Sequence, residues 1–330
     1  MELNGVEDIA VNVREELESF EWEQARGWET DKLIACSPFR QDSTPSFYVW
    51  LEDSPVFRAK AGYWGDSGGS EYERGDFITL LSFLRQETRE ETAQYLLDKY
   101  APGWDGDFRN IEFDFTWIQA GQAGKRPPIP LSYLDPYKFR HPYLERRGVT
   151  ERVQRAMQVG YDRDKKAVTI PWFNGRGELV QVKRRSVTSK FFRFLSMEEG
   201  GHPVRELLYG IDVIHRKELD CAVITEAEID ALYAMSSGFP AIAVGGAKFS
   251  KEKAALIKRS PLRKLVIAAD NDMTGQALEE QIIKRLSGQV GLWRVRLPKG
   301  YKDLNDVKEP EALSCLLQKP ERVSWRLVRI

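Results

Sequence analysis

"CAVITEAEIDALYAMSSGFPAIAVGG", residues 221–246, decides how the C-terminal third of this chain folds. A short apolar run, "CAVIT", is followed by "EIDALYAMSSG" with helical spacing and then by a second apolar run, "AIAVGG". The same alternation continues through a helix across "KEKAALIKRS", a strand "KLVIAA", a helix "GQALEEQIIKRLSG" and a strand "GLWRVRLP". Buried apolar strands alternating with amphipathic helices predict a parallel sheet covered on both faces. Such sheets carry their chemistry at the carboxyl ends of the strands.

Acidic residues stand at those ends. Glu226 follows "CAVIT" directly, and Asp230 lies four residues on, about one helical turn. Asp270 and Asp272 follow "KLVIAA" in "DNDMTG", and Asp303 and Asp306 follow the last strand in "KDLND". Any one of these acids is accounted for by helix capping. Together they bring carboxylates from three strand ends to one rim, where they repel unless a cation or raised pKa values relieve them. Oxygen ligands without histidine or thiolate nearby point to Mg²⁺ or Mn²⁺, and two such ions commonly serve in-line phosphoryl transfer.

"VITEAEIDALY", "AVGG", "AADNDMTGQ" and "KDLND" resemble the Toprim domain of DnaG-type primases, topoisomerases and some nucleases. That resemblance gives Glu226 the place of the family glutamate, as ligand or proton acceptor, and makes Asp270 and Asp272 metal ligands. Asp303 and Asn305 fall where many primases have paired aspartates. Two positions depart from the pattern: Ala227 replaces a glycine, and Asn305 replaces an acid, with Asp306 beside it.

The net charge of −1 conceals an asymmetry. Residues 1–120 hold 25 acids and 11 bases, whereas residues 138–195 hold 15 bases and 5 acids. The basic stretch is thus suited to a polyanion and the acidic one is not. Within it "HPYLERRGVTERVQRAMQVGY" reads as a helical pair broken at Gly148, with Thr150 capping the second helix. "AVTIPWFNGRGELVQVKRRS" reads as two antiparallel strands turned at Asn174-Gly175. With "KFFRF" and "LLYG", these pieces resemble in order the core that precedes Toprim in DnaG-type primases and phage primase–helicases. Lys183, Arg184, Arg185, Lys190 and Arg193 are the candidate contacts for template or nucleotide phosphate. The bland alternative is a solvated strand face. Phe191, Phe192 and Phe194 read as core rather than as stacking platforms.

In the first hundred residues, "DIAVNVREELESFEWEQARG" has helical periodicity with Gly27 placed to end it. "PSFYVWLEDSPVFRA" is β-rich, with a hairpin at Asp53, Ser54 and Pro55. Residues 76–100 read as one helix or two behind an Asp76 cap. "CSPFRQDSTPSF" and "FRAKAGYWGD" resemble the zinc ribbon that opens DnaG-type primases. Cys36 is kept, but Arg40 stands where histidine belongs and the Cys-x-x-Cys is absent. No zinc is expected, and Trp22, Trp28, Trp50, Trp64, Phe47, Phe57 and Tyr63 are expected to stabilise the domain in its place.

The expected organisation is α/β and α+β multidomain. A ribbon-derived, metal-free domain covers 1–100 and a Pro/Gly-rich linker 101–137. A basic α+β subdomain then covers 138–217, and a Toprim-type parallel sheet flanked by helices 218–330, with "SWRLVRI" a final strand. No apolar run approaches the ~20 residues of a membrane span, no signal pattern opens the chain, and three scattered cysteines fit a reducing cytoplasm. The resemblance implies a DNA primase, of phage or mobile-element type, that makes short RNA on single-stranded DNA from ribonucleoside triphosphates with Mg²⁺ or Mn²⁺. The chain ends soon after Toprim, so a replicative helicase would act in trans. Two alternatives stand beside this: a primase-derived DNA-binding regulator, and a Toprim nuclease.

Overall fold

The computed structural model describes residues 1, 3, 9–68, 73–101 and 126–323. The chain divides into two compact units, Met1–Leu84 with Thr88–Pro128, and Arg85–Glu87 with Ile129–Ile330.

The first unit opens with α1 (Val13–Glu18), capped by the Asn12 side chain, which accepts from the Glu15 N–H at 3.2 Å. This helix is much shorter than its apolar periodicity predicts. After Ser19 the chain is drawn into other bonds: the Trp22 indole donates to Leu17 O, and Arg26 bridges Ile34. β1 (Lys32–Ala35), β2 (Phe47–Trp50), β3 (Trp64–Asp66) and β4 (Arg74–Gly75) form an antiparallel sheet in that order. The hairpin expected at Asp53 is a longer excursion, in which the Asp53 carboxylate accepts from Ala61 N–H at 2.8 Å. Residues 77–100 form two helices, α2 (Phe77–Arg85) and α3 (Arg89–Tyr100). Asp76 accepts from Thr79 N–H at 2.7 Å, and a Thr88–Glu91 capping box starts α3.

Aromatic rings fill this unit, though not all the expected ones. Phe39, Phe47 and Trp64 are fully buried, with Phe39 and Trp64 centroids 4.7 Å apart and Trp22 stacked on Phe47 at 5.7 Å. Phe57 and Tyr63, by contrast, are exposed. Arg40 lies in an ion-pair knot. Its Nη2 is 2.6 Å from Asp42 Oδ2 and its Nε 3.3 Å from Asp66 Oδ2, and the Ser46 hydroxyl bonds both acids.

In the second unit, part of the expected linker is core. Ile129 N–H donates to Leu179 O at 2.7 Å, and a 3₁₀ helix over Leu131–Tyr137 buries Leu134 against Phe173, Leu179, Val182 and Leu195. Residues 102–125 of that segment lie outside the described residues. The helical pair forms as α4 (Pro142–Glu145) and α5 (Glu151–Ala156), with Gly148 at φ +79° and the Thr150 hydroxyl capping Val153 N–H. β5 (Gly160–Asp162), β6 (Ala167–Phe173), β7 (Leu179–Ser186) and β8 (Phe192–Phe194) make an antiparallel sheet. The connection from β6 to β7 is longer than a two-residue turn. Asn174 folds it by accepting from Arg176 and Glu178 N–H, and Gly177 rather than Gly175 takes the positive φ.

After α6 (Ile211–Arg216) come β9 (Cys221–Thr225), α7 (Glu228–Ser236), β10 (Ala241–Ala243), α8 (Lys251–Lys258), β11 (Lys264–Ala268), α9 (Met273–Leu286) and β12 (Gly291–Arg294). The strands pair in parallel in the order β10-β9-β11-β12. Beyond α10 (Pro310–Gln318), the two-residue β13 (Glu321–Arg322) closes the edge antiparallel. The strand expected over 324–330 lies outside the described residues. Ile224, Ile242, Leu265, Ile267, Leu278 and Ile282 are among the side chains of the core around this sheet.

Candidate active site

The first acid is fixed by strand geometry. Val244 N–H donates to Thr225 O at 2.9 Å and Gly245 N–H to Glu226 O at 2.8 Å, so the chain leaves β9 still tied to its neighbour. Ala227 takes φ −102° and ψ 154°, ordinary extended backbone, so this path has no need of the glycine of the resembled pattern. Glu226 is buried, and its Oε2 has no hydrogen-bond partner. Asp230 is also buried on the first turn of α7 and accepts from Asn305 N–H at 3.1 Å.

The loop after β11 is held from two sides. Asp272 caps α9 by accepting from Gly275 N–H at 2.9 Å. A Cβ on Gly275 would lie 2.1 Å from Asp270 O, so a side chain there would push the helix off the loop. Asn271 N–H donates to Lys302 O at 2.7 Å and its amide to Tyr301 O at 3.3 Å, which brings the 301–306 segment alongside. Lys302 Nζ lies 3.5 Å from Asp272 Oδ2.

These acids sense one another. Burial, then the neighbouring Glu226, Asp230, Asp303 and Asp272, push Asp270 up to about 9. Burial and then Asp303 raise Asp230 to about 8, against the Asn305 N–H. Glu226 rises to about 7 through burial and then Asp272, and Asp303 is raised by burial and then Asp306. Asp306 differs from the rest: it is exposed and accepts from Lys302 N–H at 2.8 Å, within its own loop. Asn305 has a structural task. Besides holding Asp230, it donates from its amide to Arg147 O at 2.6 Å, tying the loop to the segment after α4.

The family model described as Toprim-like matches residues 223–308, the stretch that carries all these acids. Residues 223–308 are a Toprim-like domain.

The chain is also similar to two curated plant proteins and to solved primase structures. It is 35% identical over 155 residues to the Twinkle homolog protein, chloroplastic/mitochondrial, of Arabidopsis thaliana, covering 40% of this chain and 20% of that protein. It is 32% identical over 183 residues to the primase homolog protein of the same plant, covering 48% of this chain and 51% of that one. The chain thus spans a fifth and about half of the lengths of these relatives. Among solved structures, it is similar to the zinc-binding and RNA polymerase domains of the Aquifex aeolicus primase (TM-score 0.48, 20% identity, 95% of this chain and 84% of that). It is also similar to the primase fragment of the bacteriophage T7 primase-helicase protein (TM-score 0.48, 19% identity, 59% and 82%).

The chemistry of the Toprim-like rim fits a hard cation. Its donors are carboxylate oxygens, one of them buried without a partner, and their mutual repulsion is what a dication relieves. Among the described residues no group of three or more Asp, Glu, His or Cys is gathered as a metal cage.

The basic residues divide between two faces of their sheet. Lys183 does not lie on an open surface: it is buried, with Nζ 2.9 Å from Glu228 Oε2 and 4.0 Å over the Phe192 ring. Glu228, the residue missed in the sequence, is the first of α7 and is buried two positions after Glu226. Arg185 shares the Lys183 face and is half-buried, and Lys190 is exposed between β7 and β8. Arg184 points the other way, to Asp162 at 3.2 Å and the Tyr133 and Tyr137 hydroxyls at 2.6 and 3.0 Å. Arg193, opposite it in register, is ion-paired with Glu199. Phe192 and Phe194 are buried, as expected of core. Lys302 was also missed; a lysine inside an acidic segment was the available signal.

Proposed function

We propose that the chain is a primase-type nucleotidyltransferase that copies single-stranded DNA into short RNA from ribonucleoside triphosphates. The observation that carries this reading is the placement of Glu226, Asp230, Asp270 and Asp303 at one rim of the Toprim-like sheet, where burial and neighbouring acids raise all four. Structural acids are ordinarily neutralised by basic partners; here Lys302, Lys183 and Arg147 offset the burial and repulsion only in part.

Mg²⁺ or Mn²⁺ bound there supplies charge neutralisation for the incoming phosphates and polarises the attacking hydroxyl. Asp270 and Asp272 are the residues that would hold it, with Asp230 and Asp303 close enough to raise Asp270. The 3′-hydroxyl oxygen forms a bond to the α-phosphorus while the bond to the β-phosphate oxygen breaks and pyrophosphate leaves. Glu226 Oε2 is suited to take the hydroxyl proton, since that oxygen has no hydrogen-bond donor on it and burial raises the carboxyl pKa to about 7. Lys302 beside Asp272 and Arg185 and Lys190 on the basic sheet supply cations for triphosphate and template.

The test is incubation of single-stranded DNA with labelled ribonucleotides and Mg²⁺ or Mn²⁺, beside Glu226→Ala and Asp270→Ala. Short RNA that disappears in both variants supports the reading. DNA binding without synthesis, or DNA cleavage, overturns it in favour of a regulator or a nuclease.

A further inference from the structure

Away from the carboxylate rim, the second unit has a groove of about 430 Å³ between the 3₁₀ helix Leu131–Tyr137, α5 and Thr169 of β6. Thr169 is the register partner of Arg184, whose guanidinium reaches that same 3₁₀ helix. The adjacent Lys183 points to Glu228. The groove therefore lies on the opposite face of the β5–β8 sheet from the Toprim-like acids.

Its walls are cationic and its floor apolar. Lys138, Arg140 and Arg155 line it against a single acid, Glu151. Lys138 is already paired with Asp135 at 2.7 Å, and Arg155 with Glu151 at 2.6 Å. Arg140 donates to its neighbour's carbonyl, Phe139 O, at 3.2 Å. Burial and then the proximity of Arg155 lower the Arg140 pKa, against the pull of Glu151. Leu134 and Val159 are buried beneath, Tyr137 is half-buried, and the Thr169 hydroxyl is buried with no hydrogen-bond partner. A Cβ on Gly160 would lie 2.1 Å from Tyr137 O and 2.8 Å from the Thr169 hydroxyl, so the glycine lets the end of the 3₁₀ helix pack against β5 beside that hydroxyl.

We propose that this groove binds a nucleoside phosphate, with the phosphate on Arg140 and Arg155 and the ring system against Tyr137, Leu134 and Val159. The volume is that of a small-ligand site, an apolar floor with a few convergent polar groups. Guanidinium pairs match phosphate oxygens in charge and in planar donor geometry. The phosphate comes from a free mononucleotide or from the terminal nucleotide of a single strand. The proposal stands independently of nucleotidyl transfer.

Binding of mant-ATP and of fluorescein-labelled oligothymidylate to the full chain in EDTA tests it, because without divalent cations the acidic rim repels both probes. Saturable mant-ATP binding is expected, weakened about tenfold or more in Arg140→Ala/Arg155→Ala, as for loss of charge-assisted bonds. Glu151→Gln, which releases Arg155 from its carboxylate, is expected to tighten binding several-fold, a gain that misfolding cannot mimic. Asp270→Ala is expected to bind as the parent does. Displacement of mant-ATP by oligothymidylate assigns the phosphate to a strand end, and failure to displace assigns it to a free nucleotide. Absence of saturable binding, or unchanged binding in both the double variant and Glu151→Gln, overturns the proposal.

Discussion

Replacing Asp42 with asparagine tests the ion-pair knot that occupies the ribbon position of the first unit. The Asp42 carboxylate accepts from Ser37 N–H at 3.1 Å, Thr44 N–H at 3.2 Å, the Ser46 hydroxyl at 3.0 Å and Arg40 Nη2 at 2.6 Å. Burial opposes its charge, but those two backbone donors, then Ser46 and Arg40, outweigh it and lower the pKa to about 2. A drop of about two units corresponds to about 2.5 kcal/mol at most. Arg40 is a fifth exposed, so solvent screens the pair and the working figure is about 1–2 kcal/mol. Because the folded pKa is depressed, this stabilisation is present at neutral pH. It begins to fade below about pH 4 and is lost as pH falls through about 2. Amide hydrogen exchange over Phe47–Trp50, read by mass spectrometry, reports it locally. Asp42→Asn should speed exchange about tenfold at pH 7 and flatten the acid dependence of unfolding by urea. Exchange equal to the parent's, with the acid-induced loss undiminished, would refute the reasoning.

Purified protein is expected to hold well under one zinc per chain, and EDTA to leave its Tm unchanged; one tightly bound zinc would contradict the ribbon reading. Glu226→Ala and Asp270→Ala should each lower primer synthesis by about 10²–10⁴-fold in a gel assay of labelled RNA, with far-UV circular dichroism unchanged. Lys183→Met or Glu228→Gln alone should cost about 3–5 kcal/mol in urea unfolding, because each leaves a buried polar group without its partner, whereas Lys183→Met/Glu228→Leu should cost far less. The Asp270 pKa of about 9 is raised, so its contribution to stability is full below about pH 4 and falls as pH rises towards 9. Metal-free protein should therefore lose Tm across that range, Mg²⁺ should restore it, and Asp270→Asn should flatten the profile by calorimetry.

The parallel sheet was legible because its signal is local. Each apolar run of "CAVIT", "AIAVGG" and "KLVIAA" carries its own strand, and acids follow two of them directly, Glu226 after the first and Asp270 after the last. The first helix was misread for the opposite reason. Its periodicity extends to residue 27, yet Trp22 and Arg26 find better partners in Leu17, Phe47 and Ile34. Tertiary contacts of that kind leave no trace in spacing. The linker was over-extended because Leu131–Tyr137 looks like Pro-rich coil and becomes core only against Phe173 and Leu179.

The order of residues by itself placed Glu226, Asp270, Asp272 and Asp303 at the ends of their segments, since strand ends and helix starts are decided by nearest neighbours. Only the folded chain decided which charges face each other. Lys183 and Arg184 are adjacent in sequence, but a strand sends successive side chains to opposite faces, one to Glu228 and the other to Asp162. Which face meets an acid depends on elements tens of residues away, and that pairing belongs to the packing alone.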